Sequence, residues 1–132
     1  MKVIFPVVML LLLFVALAPC ADAASLTVTE LAVTTKVSKG KPIDSVHRIS
    51  NHSVRALYGF TRTQSDSGEA TTVTHVWLRN GQQVKETTLP VRGKHWRLYS
   101  TLPVDASSVG NWRLEVRDAT GQLIKAVDFQ IH

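Results

Sequence analysis

Five histidines, ten acidic residues and a single cysteine are the reactive material of this 132-residue chain. His47, His52, His75, His95 and His132 never fall at the H-x-H or H-E-x-x-H spacing that sets two imidazoles on one metal ion. No metal site and no cofactor is therefore read from them. Ser100, His75 and Asp118 supply the residue types of a hydroxyl nucleophile, its base and an orienting acid. The chain lacks the nucleophile elbow and the Gly-rich oxyanion loop that such a triad needs. Asp44, Asp66 and Glu69 are loop acids without a calcium-loop pattern. Gly81, Gly93, Gly110 and Gly121 punctuate turns and form no phosphate cradle. No catalytic residue is assigned, and the chain reads as a non-enzyme.

A binding site is the better prospect. His75, Trp77, Trp96 and Arg97 are the ligand-binding candidates, because an aromatic plate beside polar donors suits a sugar ring or an anionic group. The expectation is that the Trp77 and Trp96 strands lie in one sheet, bridged by residues 82–91, so that His75 and Arg97 approach each other. The competing expectation is that both tryptophans fill the core and Arg97 closes a salt bridge with Glu86 or Glu115. If Trp77 points inward, His75 does too, and it needs a hydrogen-bond partner such as Ser100, Tyr99 or a backbone carbonyl.

The elements that must hold these residues are strands. Residues 26–37 are rich in Thr and Val, which suit a pleated surface. Residues 45–50, 54–63, 71–79, 82–91, 94–102, 111–117 and 122–131 follow as further strand-like runs, each bounded by turn residues. Asn80-Gly81 supplies the two positive-φ positions of a type I′ hairpin turn. Asp105 is placed to cap one helical turn through Ala106-Ser107-Ser108. Trp112, Leu114 and Val116 share one face of their strand, as do Val127, Phe129 and Ile131, while Arg113, Glu115 and Arg117 take the solvated side. About seven strands with turns every 8–12 residues or so predict an all-β fold, an antiparallel immunoglobulin-like β-sandwich.

The N-terminus addresses the compartment. Lys2 precedes an apolar run from Val3 to Ala18, and Ala21-Asp22-Ala23 offers small residues where a signal peptidase reads. Residues 1–23 are thus expected to be a signal peptide and residues 24–132 a single β-sandwich domain. The run falls short of the roughly 20 residues that span a bilayer. Leu17-Ala18-Pro19-Cys20 also resembles a lipobox, so membrane association is expected only through lipidation at Cys20 or a retained signal. Beyond Cys20 the chain has no cysteine, hence no disulfide and no thiol nucleophile. The net charge is +5, with Lys36, Lys39 and Lys41 in one segment and Lys94, His95 and Arg97 in another. Most such runs are solvated faces, but this balance can favour anionic envelope polymers or an acidic partner. No nucleic-acid recognition motif is present.

The ordered set Val73-Thr74-His75-Val76-Trp77, Asn80-Gly81, Leu89-Pro90-Val91, Trp96-Arg97-Leu98-Tyr99-Ser100, Gly110-Asn111-Trp112-Arg113-Leu114-Glu115-Val116, Asp118 and Gly121 resembles the bacterial domain-of-unknown-function family numbered 2914. Val33-Thr34-Thr35 and Pro42-Ile43-Asp44 fit its opening, so the resemblance runs from about Leu31 to Ile131. Tyr99 stands where that family has Trp, and Leu114 where it has Val. The resemblance implies an exported or membrane-associated bacterial protein with no activity attached. The expected function is a non-enzymatic exported module, periplasmic or secreted, that binds a protein partner or a cell-envelope component and no nucleic acid. The alternative is a glycan- or cell-wall-binding module built on the aromatic-polar cluster. An enzyme or metal carrier ranks last.

Overall fold

Alternation of apolar and polar residues drives residues 26–131 into strands that each bury one face. The structure, a computed structural model, describes residues 26–132. The expected signal peptide, its cleavage after Ala23 and Cys20 lie outside the described residues. Ten strands form: β1 (Leu26–Thr34), β2 (Val37–Ser38), β3 (Lys41–Pro42), β4 (Arg48–Ile49), β5 (Ala56–Ser65), β6 (Thr71–Arg79), β7 (Gln82–Val91), β8 (His95–Pro103), β9 (Gly110–Arg117) and β10 (Leu123–Ile131). Seven of them are eight to ten residues long, and β2, β3 and β4 have two residues each. The strand expected at 45–50 shrinks to β4, a parallel pairing with the end of β10.

Two sheets make the sandwich. One has the order β1-β5-β8 and the other β4-β10-β9-β6-β7, while β2 and β3 form a separate hairpin. All pairings but β4 with β10 are antiparallel. Asn80 and Gly81 turn β6 into β7 with φ of 50° and 81°, as the hairpin signal requires. After β7 the chain does not return alongside it. It crosses to the other layer, where β8 pairs with β5 from Gln64↔His95 to Ala56↔Pro103. This overturns the expectation that the Trp77 and Trp96 strands share a sheet bridged by residues 82–91. The physical reason is layer formation: β8 carries an inward set of Leu98, Ser100 and Leu102, which needs a facing sheet to cover it.

Two apolar clusters fill the space between the layers. Val33, Leu57, Trp77, Leu102, Trp112, Leu114, Phe129 and Ile131 belong to the larger one. Trp112 stacks on Phe129 at 6.0 Å between ring centroids, and Trp77 meets the same ring edge-on at 6.0 Å. Val28, Val73, Val91, Leu98 and Val116 form the smaller cluster, with Trp96 half-buried against it. A single 3-10 turn, Ala106–Ser108, is capped by Asp105, whose side chain accepts from the Ser107 amide at 2.8 Å. That turn has a packing role: the Ser108 carbonyl accepts the Trp112 indole N–H at 2.7 Å. Glu115 differs from its expected solvated setting. It is 8% exposed and held by Arg117 at 2.9 Å.

The β2–β3 hairpin is tied back to β1 through Asp44. Its carboxylate accepts from the hydroxyls of Thr34 (2.5 Å) and Thr35 (2.6 Å) and from the Thr35 amide (2.8 Å). Burial raises the Asp44 pKa, but these hydrogen bonds outweigh it and hold the carboxyl below its ordinary value. At the opposite margin of the same sheet, the Lys85 ammonium of β7 donates to the Thr101 carbonyl of β8.

At Gly59 the layers leave no room for a side chain. A Cβ there would lie 2.5 Å from Leu114 Cδ2 and 2.9 Å from Trp77 Cζ2. Gly59→Ala is therefore expected to lower the unfolding free energy by about 1–3 kcal/mol, the usual cost of overpacking, as measured by urea denaturation.

Candidate functional site

The four candidate residues divide between the interior and the surface. His75 and Trp77 lie on β6, both 0% exposed. Their side chains point from the five-stranded sheet at the three-stranded one. His75 Nδ1 is 2.7 Å from Ser100 Oγ on β8, and His75 Nε2 is 2.8 Å from Thr61 Oγ1 on β5. The Trp77 indole N–H donates to the same Ser100 Oγ at 3.0 Å. Ser100 is thus one of the partners anticipated for His75, and Thr61 is a second that the sequence did not indicate.

Either neutral tautomer satisfies both ring nitrogens, with Ser100 or Thr61 as the hydroxyl that donates to the ring. The imidazolium would be satisfied as well, since both hydroxyl oxygens can accept. What disfavours the charged ring is burial, which pushes the His75 pKa down to about 4 from 6.5. The Ser100–His75 pair has the spacing of a nucleophile and its base, but the setting is wrong for catalysis. Ser100 is 4% exposed and shared with an indole N–H, so no substrate path reaches it. Asp118, the third residue of the paper triad, sits in the β9–β10 turn and accepts from Thr120 and Gln122 amides at 2.9 and 3.0 Å.

Trp96 and Arg97 are neighbours on β8 and take opposite faces: the Trp96 ring shares the inward side of Leu98 and Ser100 and packs on the smaller cluster, while Arg97 faces out. Together with Arg62 and His95 they line an open groove of about 530 Å³ on the three-stranded sheet. Arg97 faces outward, away from His75, so the expected approach of these two residues does not occur. Nor does Arg97 pair with the anticipated acids: Glu115 is taken by Arg117, and Glu86 accepts from Gln83 at 2.9 Å. Its Nη1 donates to the Gly40 carbonyl at 3.4 Å. Gly40 lies between Lys39 and Lys41 at the tip of the β2–β3 hairpin. The two basic segments noted in the sequence therefore meet on one face. Tyr58 and Tyr99 continue that face, their rings edge-on at 6.0 Å, with Tyr99 52% exposed.

Arg62 is the residue that sequence reasoning missed. Alternation within Phe60-Thr61-Arg62-Thr63 places it outward, opposite Thr61. Its partner Arg97 emerges only once β5 pairs with β8, a long-range register that no local pattern specifies. Among the described residues, no group of three or more His, Cys, Asp or Glu is placed to hold a metal ion.

The fold and its surface define an immunoglobulin-like β-sandwich. It is similar to the crystal structure of an immunoglobulin-like protein from Pseudomonas aeruginosa, with a TM-score of 0.55 at 14% identity, covering 84% of this chain and 99% of that one. Residues 70–131 match the model of the family described as protein of unknown function (DUF2914). This is the family that the ordered Trp, His and Gly motifs resemble. The matched segment begins just before β6, so the Val33–Thr35 and Pro42–Asp44 pieces of the resemblance fall outside it. No curated protein matches the chain.

Two predictions concern the buried group. His75 has a lower pKa folded than unfolded, so the unfolded chain binds more protons between them. Its contribution to stability is full above pH 6.5 and is lost as pH falls through 4, roughly 3 kcal/mol in all. Urea denaturation across this range should show that slope, and His75→Gln should remove it. Ser100→Ala strips a partner from both the Trp77 N–H and His75 Nδ1 and is expected to cost about 2–3 kcal/mol in the same assay at pH 7.

Proposed function

We propose that this protein is a non-enzymatic, exported binding module, acting in the periplasm or outside the cell. The immunoglobulin-like fold and the family of unknown function fit a non-enzymatic module. In this reading the contact surface is the outer face of the three-stranded sheet, and the occupant is a cell-envelope component or an envelope-facing protein. The observation that carries it is the convergence of Arg62, His95, Trp96 and Arg97 on one groove, beside Lys39 and Lys41. The outward guanidinium groups of Arg62 and Arg97 beside the exposed Tyr99 ring offer fixed donors and a flat apolar contact together, which suits a polar ligand with a ring or an anionic group. Export rests on the apolar run from Val3 to Ala18 followed by Ala21-Asp22-Ala23.

A glycan- or wall-binding module is the narrower form of the same reading, with the exposed Tyr99 ring as the ring contact. His75 and Trp77 have no part in it, because both are closed inside the core.

An amide NMR titration of the purified protein with soluble cell-wall fragments tests the proposal. Saturable shifts confined to the surroundings of Gly40, Arg62, Trp96 and Arg97 are expected. Tyr99→Ala should weaken the response at least about tenfold while the spectrum stays dispersed, as removal of an aromatic anchor does. A spectrum that no fragment moves would sink the wall-binding form and turn the search to protein partners by cross-linking in the envelope.

A further inference from the structure

We infer that Arg62 and Arg97 form an oxyanion-binding site, in which a phosphate or carboxylate group is held between the two guanidinium groups on the outer face of the β5–β8 ladder. The inference rests on the proposed binding face and specifies what that face recognises.

Arg62 and Arg97 are register partners on adjacent antiparallel strands, with both side chains on the solvent side. Like charges directly opposite each other in a ladder repel, and such a pair is unfavourable without a counter-charge. The protein supplies little. Glu30, across the sheet on β1, reaches Arg62 Nη2 at 3.5 Å, and both side chains of that pair are more than a third exposed. Among the described residues Arg97 shows no salt bridge to a carboxylate and makes the long contact to the Gly40 carbonyl. His95 lines the same groove, and Lys39 and Lys41 flank the carbonyl that Arg97 touches, so the surroundings add positive charge.

The second observation is independent of the charge count. Arg62 Nε is shielded from solvent and has no hydrogen-bond partner among the described residues. A buried donor without an acceptor is costly, and a guanidinium satisfies its Nε–H and Nη–H together by a bidentate bond to two oxygens of one oxyanion. An anion held between the outward guanidinium groups would relieve the Arg62–Arg97 repulsion, and a turn of the Arg62 guanidinium toward it would complete that shielded donor as well. Phosphate and carboxylate both offer this edge of two oxygens; chloride does not.

The test follows the arginine side chains directly. The Nε–H resonances of the purified protein are recorded by NMR during titration with inorganic phosphate and, separately, with acetate, each at ionic strength matched by sodium chloride. The expected result is a saturable shift of the Arg62 and Arg97 Nε–H signals with phosphate, acetate or both, absent from the chloride series. The arm that responds more strongly identifies the phosphate or carboxylate source. Arg97→Gln, a change at an exposed position, should weaken that response at least about tenfold with the backbone spectrum unchanged. Side-chain signals that follow chloride as closely as either oxyanion would overturn the inference. Wall fragments that shift this face equally in the protein and in Arg97→Gln would also overturn it, while leaving the binding-face reading intact. If neither the oxyanions nor the fragments move the face, the inference and the wall-binding form of the reading fall together.

Discussion

The fold turns on one buried polar rung. Thr61, His75, Ser100 and Trp77 join β5, β6 and β8 by three hydrogen bonds across the gap between the layers. The rung stands between the two apolar clusters: Val73 and Leu98 lie on one side of it along β6 and β8, and Trp77 and Leu102 on the other. A one-residue slip of any of the three strands would turn its member of the rung outward and strand the rest without partners. The geometry also explains Gly59, which pairs with Ser100 and leaves room for the Trp77 ring that must reach the Ser100 hydroxyl. Antibody domains tie their layers with a disulfide packed on a tryptophan. Residues 26–132 have no cysteine, and here hydrogen bonds of a histidine and a tryptophan make the cross-layer connection.

Much of the fold was legible because its signals are local. Period-two alternation gave β6 and β7 their observed bounds, and Asn80-Gly81 and Asp105 marked the turn and the cap by their own backbone chemistry. The order of strands was not legible. Whether residues 94–102 return beside β7 or cross to the second layer depends on which inward faces remain uncovered, and that is a property of the whole chain. The separation of His75 from Arg97 was not legible for the same reason. His75 and Arg97 were joined on the assumption of a shared sheet, and the crossing of β8 separates them. Arg62 was invisible because its significance lies in a pairing made at long range.

The division of the four candidates has a chemical logic. His75 and Trp77 each carry one polar handle on an apolar body, and both can be buried once that handle is matched. Arg97 carries a permanent charge and stays at the surface, and Trp96 sits at the boundary with one part against the smaller cluster. The motif residues inside the molecule therefore specify the sandwich, while Arg97 on the outer sheet face remains in contact with solvent.

The contact of Lys85 with the Thr101 carbonyl has a consequence for how such a sandwich meets its neighbours. Thr101 lies on β8, the margin of a three-stranded sheet. A strand arriving from another molecule would need that carbonyl as an acceptor, and it finds an ammonium group already there. At this margin the main chain is guarded against templated growth. A crowded solution of identical sandwiches thus meets a cation where sheet extension would begin, and encounters there are governed by side chains.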